Sequence, residues 1–380
     1  MRLRYLTAFF LLVGACTGTT TPTPTPVSST GIPPSAIPFA SAIASSAVAV
    51  SPDGTLVASV NPDSDSVTLV ATATLSVLGE VAVGDDPRTL VFTPDSRHVI
   101  VTNHGDASLS AIDTASLSEV TRWRTGQQPY GVVTDGRRAY VAELALDTVA
   151  VLDLESGEMV SRVVVDGFPA GLGLYDGGST LLVTHLFSGK VTAIDTASLT
   201  ISDVQATGID TNLFQSLAFH PDGQRAFLPQ TRSNVTNRAL VFDATVFPIV
   251  NVIALPRLRT DIRSRITLDT ADQPVNMPFA VAITPDGRVA YVVNAGSNDV
   301  SVIDLESGQG IAHVEVGANP RGLAITEDGS RVFVNNTLDG TLSVIDTATN
   351  LVTATVVTTV IPLAPQVLAG KRLFNSSEAP

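Results

Sequence analysis

Two polar side chains at matching places in neighbouring repeats are the sharpest candidates for chemistry in this sequence. Glu143 and His185 each end a run rich in β-branched residues, and His104 directly follows the equivalent residue of an earlier repeat. Carboxylate and imidazole groups are ligands that Zn²⁺ accepts, so His104, Glu143 and His185 are weak candidates for a metal site. Histidines on such a surface serve more often as polar lining, and we therefore predict no metal site.

The same strand-end position is polar in every repeat. Asparagine tolerates left-handed backbone at strand ends and bonds its own turn, which accounts for most of the asparagines without a ligand. Glu143 and His185 break that pattern, and because they belong to adjacent repeats we expect both to face one mouth of the fold. The full set is Asn61, Asn103, Glu143, His185, Gln230, Asn294 and Asn336, of which Asn103, Glu143, His185, Asn294 and Asn336 are candidates for binding a ligand or partner.

A second set of candidates begins the first strand of several repeats. Arg88, Tyr130, Phe279 and Arg321 each follow a proline. Two guanidinium groups at corresponding positions would attract an anion. We therefore add Arg88, Tyr130 and Arg321 to the candidate binding residues.

The sequence contains no recognised catalytic motif. It has no Gly-rich phosphate loop, no Gly-x-Ser-x-Gly and no His-Glu-x-x-His. We therefore assign no catalytic residue, and the sequence favours a protein that is not an enzyme.

A seven-fold internal repeat positions these residues. A short turn containing aspartate recurs at intervals of about 40 residues, and a β-run, a polar break and a second β-run follow each turn. Four short strands per repeat are typical of a β-propeller blade, because one small sheet cannot bury both faces until a neighbour stacks on it. The sequence predicts an all-β, seven-bladed propeller with four-stranded antiparallel blades. The turns lie at Asp53, Asp95, Asp135, Asp176, Asp222, Asp286 and Asp328.

Small residues recur in each first strand. They occupy one position in all seven repeats, where the innermost strands of a propeller would converge on the axis. The residues are Ala47, Thr89, Gly131, Gly171, Ser216, Ala280 and Gly322.

Length variation predicts which face of the propeller is functional. Connections that leave the fourth and fifth repeats are the long ones, and the loop at residues 231–238 is enlarged on the same face. Insertions are tolerated where function is added, although a neutral surface insertion remains the alternative. We expect a protein partner or small ligand on the face that carries the insertion 256–277, whose arginines form a local basic lid.

The N-terminal residues predict export and membrane anchoring. Arg2 and Arg4 precede an apolar stretch too short to span a bilayer, and the only cysteine, Cys16, follows Val-Gly-Ala. We predict a signal peptide at residues 1–15, lipidation of Cys16 and a Thr/Pro-rich tether at residues 16–43. A simple secretory signal that ends at Ala15 is the alternative. The net charge of −14 excludes a nucleic-acid partner.

Residues 44–360 resemble the YVTN-type β-propeller repeats of bacterial surface and periplasmic proteins. The resemblance rests on Tyr-Val-Val-Asn at 291–294, Phe-Val-Asn-Asn at 333–336, Val-Thr-Asn at 101–103, and Gly-x-x-Pro-Arg at 84–88 and 317–321. It implies a binding or scaffold role in the cell envelope. The fourth and fifth repeats depart from the pattern, because they carry the insertions.

Residues 361–380 follow the last repeat and do not form another blade. Gly-Lys-Arg-Leu-Phe-Asn at 370–375 resembles the segment that joins such propellers to a dihaem cytochrome c peroxidase-like domain. That resemblance implies a linker, or the start of a truncated domain. The other interpretation is a C-terminal helix that packs Leu368, Leu373 and Phe374 onto the propeller. The chain has no Cys-x-x-Cys-His, so we expect no cofactor in it, and haem c only if a downstream domain exists.

Three functions remain open from the sequence. The first is a lipid-anchored, extracytoplasmic propeller that acts as a binding module or scaffold. The alternative is the propeller part of a haem c electron-transfer or peroxidase-like protein whose haem domain is missing from this chain. A metal-dependent lyase or lactonase-like enzyme ranks third.

Overall fold

Seven four-stranded antiparallel sheets stand in a ring in the part of the chain that the structure describes. The computed structural model describes residues 31–208, 210–213, 215–233, 246–260 and 262–377. Consecutive sheets are consecutive in sequence, and each inner strand contacts the inner strand of a neighbouring blade. The predicted seven-bladed β-propeller is therefore confirmed.

Each blade runs outward from the axis through strands that we call A, B, C and D. The first three blades are regular and share this order, with strands of three to seven residues. Their strands are β2 (Val48–Val50), β3 (Leu56–Asn61), β4 (Ser66–Ala71) and β5 (Val77–Ala82) in blade 1; β6 (Pro87–Phe92), β7 (His98–Asn103), β8 (Ser108–Asp113) and β9 (Ser118–Arg124) in blade 2; and β10 (Pro129–Thr134), β11 (Arg138–Glu143), β12 (Thr148–Asp153) and β13 (Met159–Val164) in blade 3.

Blades 4, 6 and 7 repeat the same order. Blade 4 gains the short strand β1 (Ile43–Ala44), which pairs with its inner strand. The strands are β14 (Pro169–Tyr175), β15 (Thr180–His185), β16 (Lys190–Asp195) and β17 (Thr200–Ala206) in blade 4; β24 (Pro278–Ile283), β25 (Val289–Asn294), β26 (Asp299–Asp304) and β27 (Gln309–Glu315) in blade 6; and β28 (Pro320–Ile325), β29 (Arg331–Asn336), β30 (Thr341–Asp346) and β31 (Leu351–Val357) in blade 7.

Blade 5 is the irregular one. Its A strand is split, its B and C strands have nine residues each, and its D strand is split around a 3₁₀ turn (Ile262–Ser264) and followed by the short helix α1 (Leu268–Ala271). The strands are β18 (Thr211–Asn212), β19 (Ala218–Phe219), β20 (Arg225–Ser233), β21 (Val246–Ala254), β22 (Arg259–Thr260) and β23 (Ile266–Thr267).

Burial follows the stacking of the blades. All six residues of the B strand β7 are buried, whereas only Thr121 and Trp123 of the outer strand β9 are buried. A strand in the interior of a blade is covered on both faces by neighbouring blades, so a continuous run such as His98–Asn103 suits it, while the D strand faces solvent. The predicted small residues are needed at the axis, because a Cβ on Gly131 would lie 2.3 Å from the Ala170 carbonyl oxygen.

The recurrent aspartates close the turns. In the A–B turn of blade 6 the Thr284 hydroxyl donates to Asp286 at 2.6 Å. In its C–D turn the amide and hydroxyl of Ser307 donate to Asp304, each at 2.7 Å, and these bonds lower the pKa of Asp304. The repeated aspartates thus fix turns on one face of the disc, which we call the lower face. The B–C and D–A connections form the opposite, upper face.

The N-terminal segment crosses the axis instead of extending away from the propeller. Ile32 is buried and donates its amide to the Leu154 carbonyl of blade 3. Strand β1 pairs with β14 of blade 4, and Ser46 bridges to Leu90 of blade 2 before β2 begins blade 1. Of the predicted tether 16–43, the described residues 31–43 are therefore packed on the propeller. The signal peptide and Cys16 lie outside the described residues.

The last and first blades meet without exchanging a strand. The Asn335 side-chain amide donates to the Ser59 hydroxyl at 2.7 Å, and the Thr68 hydroxyl donates to the Thr358 carbonyl oxygen at 2.6 Å. Side-chain hydrogen bonds across this seam thus join blade 7 to blade 1. No helix among the described residues has the length and apolar character needed to cross a membrane.

The C-terminal residues form helix α2 (Pro365–Asn375), which lies on the upper face. Lys371 pairs with Asp63 of blade 1, and Arg372 donates to the Leu338 carbonyl and to Asp339 of blade 7. The expected packing of Leu373 and Phe374 is wrong: these side chains are 59% and 88% exposed. Polar contacts hold the helix, so Leu373 and Phe374 stay in solvent, while Leu368 is partly buried.

Candidate functional site

The candidate asparagines at the ends of the B strands make hydrogen bonds that join strand B to strand C within each blade. Asn103, Asn294 and Asn336 are buried, and each side-chain amide donates to groups at the start of the adjacent C strand. For Asn103 the acceptors are the Ser108 and Ser110 hydroxyls, at 2.9 and 2.8 Å. Their side chains therefore point into the blade and not toward the propeller axis.

Glu143 occupies the same position in blade 3 and is completely buried. Its carboxylate accepts the Gly126 amide at 2.6 Å and the Thr148 hydroxyl at 2.7 Å, and it pairs with Arg162 at 2.9 Å. These three donors satisfy the charge inside the blade. Glu143 therefore joins the D–A connection to strands C and D, and the expectation that it faces the mouth is wrong.

His185 takes this place in blade 4 and is also fully buried. Its Nε2 lies 2.8 Å from the Thr192 hydroxyl of the neighbouring strand. Burial lowers the pKa of the His185 imidazole, which therefore stays neutral near pH 7. His185 does not face the mouth either, which corrects the same expectation.

The predicted metal candidates do not come together. His104, Glu143 and His185 belong to three different blades, and each has its own partner within or beside its blade. Among the described residues, no group of three or more His, Cys, Asp or Glu side chains could hold a metal ion.

Arg88, Tyr130 and Arg321 do converge, at the upper end of the axis. They start the A strands of blades 2, 3 and 7 and border one axial cavity of about 20 Å³, which is room for roughly one water. Phe279 of blade 6 and Gln215 of blade 5 complete this site, which we call the axial mouth. The Tyr130 hydroxyl donates to Gln215 Oε1 at 2.6 Å, and burial raises the pKa of Tyr130.

Arg321 is a half-buried guanidinium without a carboxylate partner within ion-pair distance among the described residues. It donates to Asn319 Oδ1 at 2.6 Å and to Asn375 Oδ1 of helix α2 at 3.3 Å, and it lies 5.1 Å from the Phe279 ring centroid. Burial, together with the nearby charge of Arg88, lowers the pKa of Arg321. A partly buried cation that no carboxylate pairs directly favours binding of an anion.

His104 stands beside the axial mouth. Its Nδ1 lies 3.3 Å from Asp86 Oδ2, and its ring meets the Tyr130 ring edge-on, with centroids 6.4 Å apart. Asp86 also binds Arg88, at 2.6 Å. A carboxylate that holds one imidazole nitrogen orients the ring, as it does for histidines that bind metals. His104 is thus an oriented imidazole directly beside the axial mouth.

Sequence reasoning missed Asp86, Gln215 and Asn319. Asp86 and Asn319 precede the prolines of strand A and have positive φ values of 53° and 54°. Polar residues that tolerate left-handed backbone fit there, and that pattern was available in the sequence. No sequence signal pairs Gln215 with Tyr130, because 85 positions separate them.

The insertion 256–277 does not cover the axial mouth. Strands β22 and β23, which lie within it, both pair with the outer edge of β21. Thr270 and Ala271 of α1 border a rim groove together with the turn at residues 305–309 of blade 6. The expectation of a basic lid is therefore wrong, because the inserted residues build the outer edge of blade 5.

Comparison with protein families gives one match, over part of the chain. A family model described as "Cytochrome D1 heme domain" matches residues 267–367, which include α1 and blades 6 and 7. No curated protein sequence matches the chain. The family match covers less than a third of the chain and includes two residues of the axial mouth, Phe279 and Arg321.

Solved structures share the fold at low sequence identity. Kuenenia stuttgartiensis hydrazine synthase superimposes with a TM-score of 0.74 and 22% identity, over 88% of this chain and 99% of that chain. The Cps50 (Swd1) β-propeller domain of Myceliophteria thermophila gives 0.62 and 12%, over 76% and 92%. Dihydro-heme d1 dehydrogenase NirN, in complex with DHE, gives 0.54 and 16%, over 83% and 65%. These similarities show the β-propeller fold, which the chain shares with all three structures.

Proposed function

We propose that this protein is a haem-associated propeller whose axial mouth binds an anionic tetrapyrrole. The observation that carries the proposal is Arg321, a half-buried guanidinium that has no carboxylate within ion-pair distance among the described residues. Arg88 adds a second guanidinium at the same mouth. Haem carboxylates are anions that paired guanidinium groups bind well. The family match to a haem domain, which includes Arg321, supports the same ligand class.

The residues of the axial mouth suit a haem that lies across the opening. Arg88 and Arg321 would hold its carboxylates, and His104, oriented by Asp86, offers an imidazole to iron. When bound, the haem would supply redox chemistry. The cavity of about 20 Å³ is far too small to enclose a macrocycle, so only a group at the edge of a haem could enter it.

The same geometry serves two sources of haem. One is a haem resident in this chain, against the expectation of no cofactor. The other is a haem c carried by another domain or protein. That source corresponds to the alternative function named from the sequence, the propeller part of a haem c protein. An absorption band of haem in the purified native protein indicates the first source. Native protein without that band that still binds added haem indicates the second.

The test is a titration of the full chain with ferric protoporphyrin IX, followed at the Soret band. We expect Arg321→Gln to weaken binding by roughly tenfold or more, since it removes a charge-assisted contact. Arg257→Gln, at an exposed rim position, is the matched control and should leave the affinity unchanged. His104→Gln should alter the spectrum of the bound haem. Equal affinity in the wild type and both arginine variants would refute the proposal.

We also propose that the propeller is held outside the cytoplasm by a lipid on Cys16. The support is the sequence of residues 1–16, which has a basic start, a short apolar stretch and Val-Gly-Ala-Cys. Replacement Cys16→Ser should move the protein from the membrane fraction to the soluble fraction. Its mass should also lose the acyl chains. A wild-type protein without acyl mass would contradict this assignment.

A further inference from the structure

Helix α2 reaches the axial mouth through its last residue, Asn375. The Asn375 Oδ1 atom accepts a hydrogen bond from Nη2 of Arg321 at 3.3 Å. The side-chain amide of Asn375 donates to the Lys371 carbonyl oxygen, one turn earlier in the helix, at 2.9 Å, and this bond orients the amide. The helix thus supplies an acceptor to a guanidinium that belongs to the propeller.

An anion at Arg321 would take the place of Asn375. Arg321 donates Nε to Asn319 Oδ1 at 2.6 Å and Nη2 to Asn375. Asn319 is fixed by further bonds, because it donates to the Ala295 carbonyl oxygen and accepts the Thr337 hydroxyl. A hydrogen bond from a guanidinium to a carboxylate is stronger than one to a neutral amide oxygen. Asn375 is therefore the acceptor that a carboxylate replaces.

The other contacts of α2 with the rim of the propeller are polar and half-exposed. Lys371 pairs with Asp63, and Arg372 pairs with Asp339 at 2.6 Å and donates to the Leu338 carbonyl oxygen. The two basic side chains are 43% and 47% exposed. Ion pairs in such positions contribute little to stability and weaken as salt increases.

Apolar packing adds little to the attachment of α2. No residue of the helix is buried, and Val367, Leu373 and Phe374 are exposed. The preceding residues 360–363 make no hydrogen bond to the propeller within the described part of the chain. After the helix, the amide and hydroxyl of Ser377 both donate to the Gly296 carbonyl oxygen. A few polar contacts thus hold α2, and it can leave the propeller without exposing a core.

We propose that helix α2 is a strap beside the axial mouth, closed while Asn375 holds Arg321 and released when an anion takes that guanidinium. The inference rests on the proposed binding of an anion at the mouth and adds its regulation. The anion and the strap compete for Nη2 of Arg321, so the presence of each lowers the apparent affinity of the other. Higher ionic strength favours the released strap, because it screens the ion pairs of Lys371 and Arg372.

The first test measures the accessibility of Arg321 and needs no haem. Phenylglyoxal modifies accessible guanidinium groups, and mass mapping of the digested full chain gives the rate at each arginine. Asn375→Ala should raise the rate at Arg321 about threefold, since one of the few contacts that close the strap is lost. Gln366→Ala, an exposed amide on the same helix, is the matched control and should leave the rate unchanged. The exposed Arg257 serves as the reference within each sample.

A second variant tests the polar attachment in the same assay. Lys371→Gln combined with Arg372→Gln should also raise the rate at Arg321. An increase of NaCl from about 50 to 500 mM should raise it in the wild type and have little effect in the double variant. Equal rates at Arg321 in the wild type, Asn375→Ala and the double variant overturn the strap.

The second test connects the strap to the ligand. Asn375→Ala should bind ferric protoporphyrin IX about threefold more tightly than the wild type, whereas Gln366→Ala should bind it equally well. Porphyrin at saturation should also speed hydrogen exchange of the amides of residues 366–375 in the wild type. If porphyrin binds through Arg321 and Asn375→Ala changes neither its affinity nor this exchange, the strap is refuted and the ligand stands. If no porphyrin binds but Asn375→Ala still exposes Arg321 to phenylglyoxal, the strap is supported and the ligand is refuted.

Discussion

The Tyr130 hydroxyl of blade 3 donates a hydrogen bond to the Gln215 side chain of blade 5, with 2.6 Å between the oxygen atoms. Blade 4 lies between these two blades, so the bond passes over its inner strand at the axial mouth. It links two blades that do not pack on each other, and it occupies the opening where a ligand would approach. Tyr130 is buried, and burial raises the pKa of its hydroxyl, which therefore remains a donor at neutral pH.

Replacement Tyr130→Phe should open the axial mouth at a small cost in stability. Loss of one buried hydrogen bond lowers the free energy of unfolding by about 1 kcal/mol, which urea unfolding measures. The affinity for ferric protoporphyrin IX should rise, because Gln215 is freed. Tyr291→Phe, which removes a bond to Asn350 near the rim, is the control for stability alone. The prediction fails if both variants bind the porphyrin equally well.

Replacement Glu143→Ala should destabilise blade 3. It leaves the Gly126 amide without its buried acceptor and removes the partner of Arg162, so we expect a loss of about 2–4 kcal/mol in the free energy of unfolding. Glu143→Asn, which copies the residue of blades 2, 6 and 7, should recover part of it. If Glu143→Ala instead abolished porphyrin binding at unchanged stability, Glu143 would be a ligand-binding residue after all.

His185 should make the protein less stable in mild acid. Because burial lowers its pKa in the folded state, the unfolded chain takes up the proton first. The free energy of unfolding should therefore be highest above the unfolded pKa of about 6.5 and decrease as the pH falls through the folded pKa. His185→Gln should flatten this dependence when urea unfolding is compared between about pH 7.5 and 5. An unchanged slope in the variant would contradict the assignment.

Buried His98 also has a lowered pKa, for the same reason of burial. It therefore supplies a background decrease of stability in acid that His185→Gln leaves in place. The double variant His98→Gln, His185→Gln separates the two contributions, and its pH dependence should be flatter than that of either single variant.

Replacement Phe168→Asn should stabilise the protein. Asparagine tolerates the left-handed backbone that phenylalanine adopts at this position, so relief of strain should raise the free energy of unfolding by up to about 1 kcal/mol in urea unfolding. Gln128→Asn, at the equivalent position of blade 3, is the control without an aromatic ring. A Phe168→Asn variant that is less stable than the wild type would contradict the strain at this position.

Repetition made the fold predictable from the sequence. Each turn aspartate, such as Asp286, sits where a hydroxyl and the following amides can reach it, and this local chemistry is visible in seven copies. The small residues of the A strands, such as Gly131 and Gly322, predicted crowding at the axis. The structure confirms it, because an added Cβ on Gly322 would lie 2.9 Å from the Ala47 Cβ. Local turns and a short packing period therefore determine the architecture.

The candidate site was predicted only in part, because a strand-end residue can turn in two directions. Arg88, Tyr130 and Arg321 begin inner strands and point to the mouth. Glu143 and His185 end B strands, and hydroxyls of the C strand, Thr148 and Thr192, draw them into the blade. Sequence spacing gives the position along a strand, whereas the partners that decide the direction come from a neighbouring strand.

The seam between blades 7 and 1 has a further consequence for the design of the chain. Strands A to D of every blade come from one continuous segment, and the bonds from Asn335 to Ser59 and from Thr68 to Thr358 join the ends of the ring without an exchanged strand. The order of blades in the gene is therefore not tied to this seam. A circular permutation that opens the polypeptide at another D–A connection should preserve the ring. New blades could likewise enter or leave by duplication or deletion of a single segment of about 40 residues.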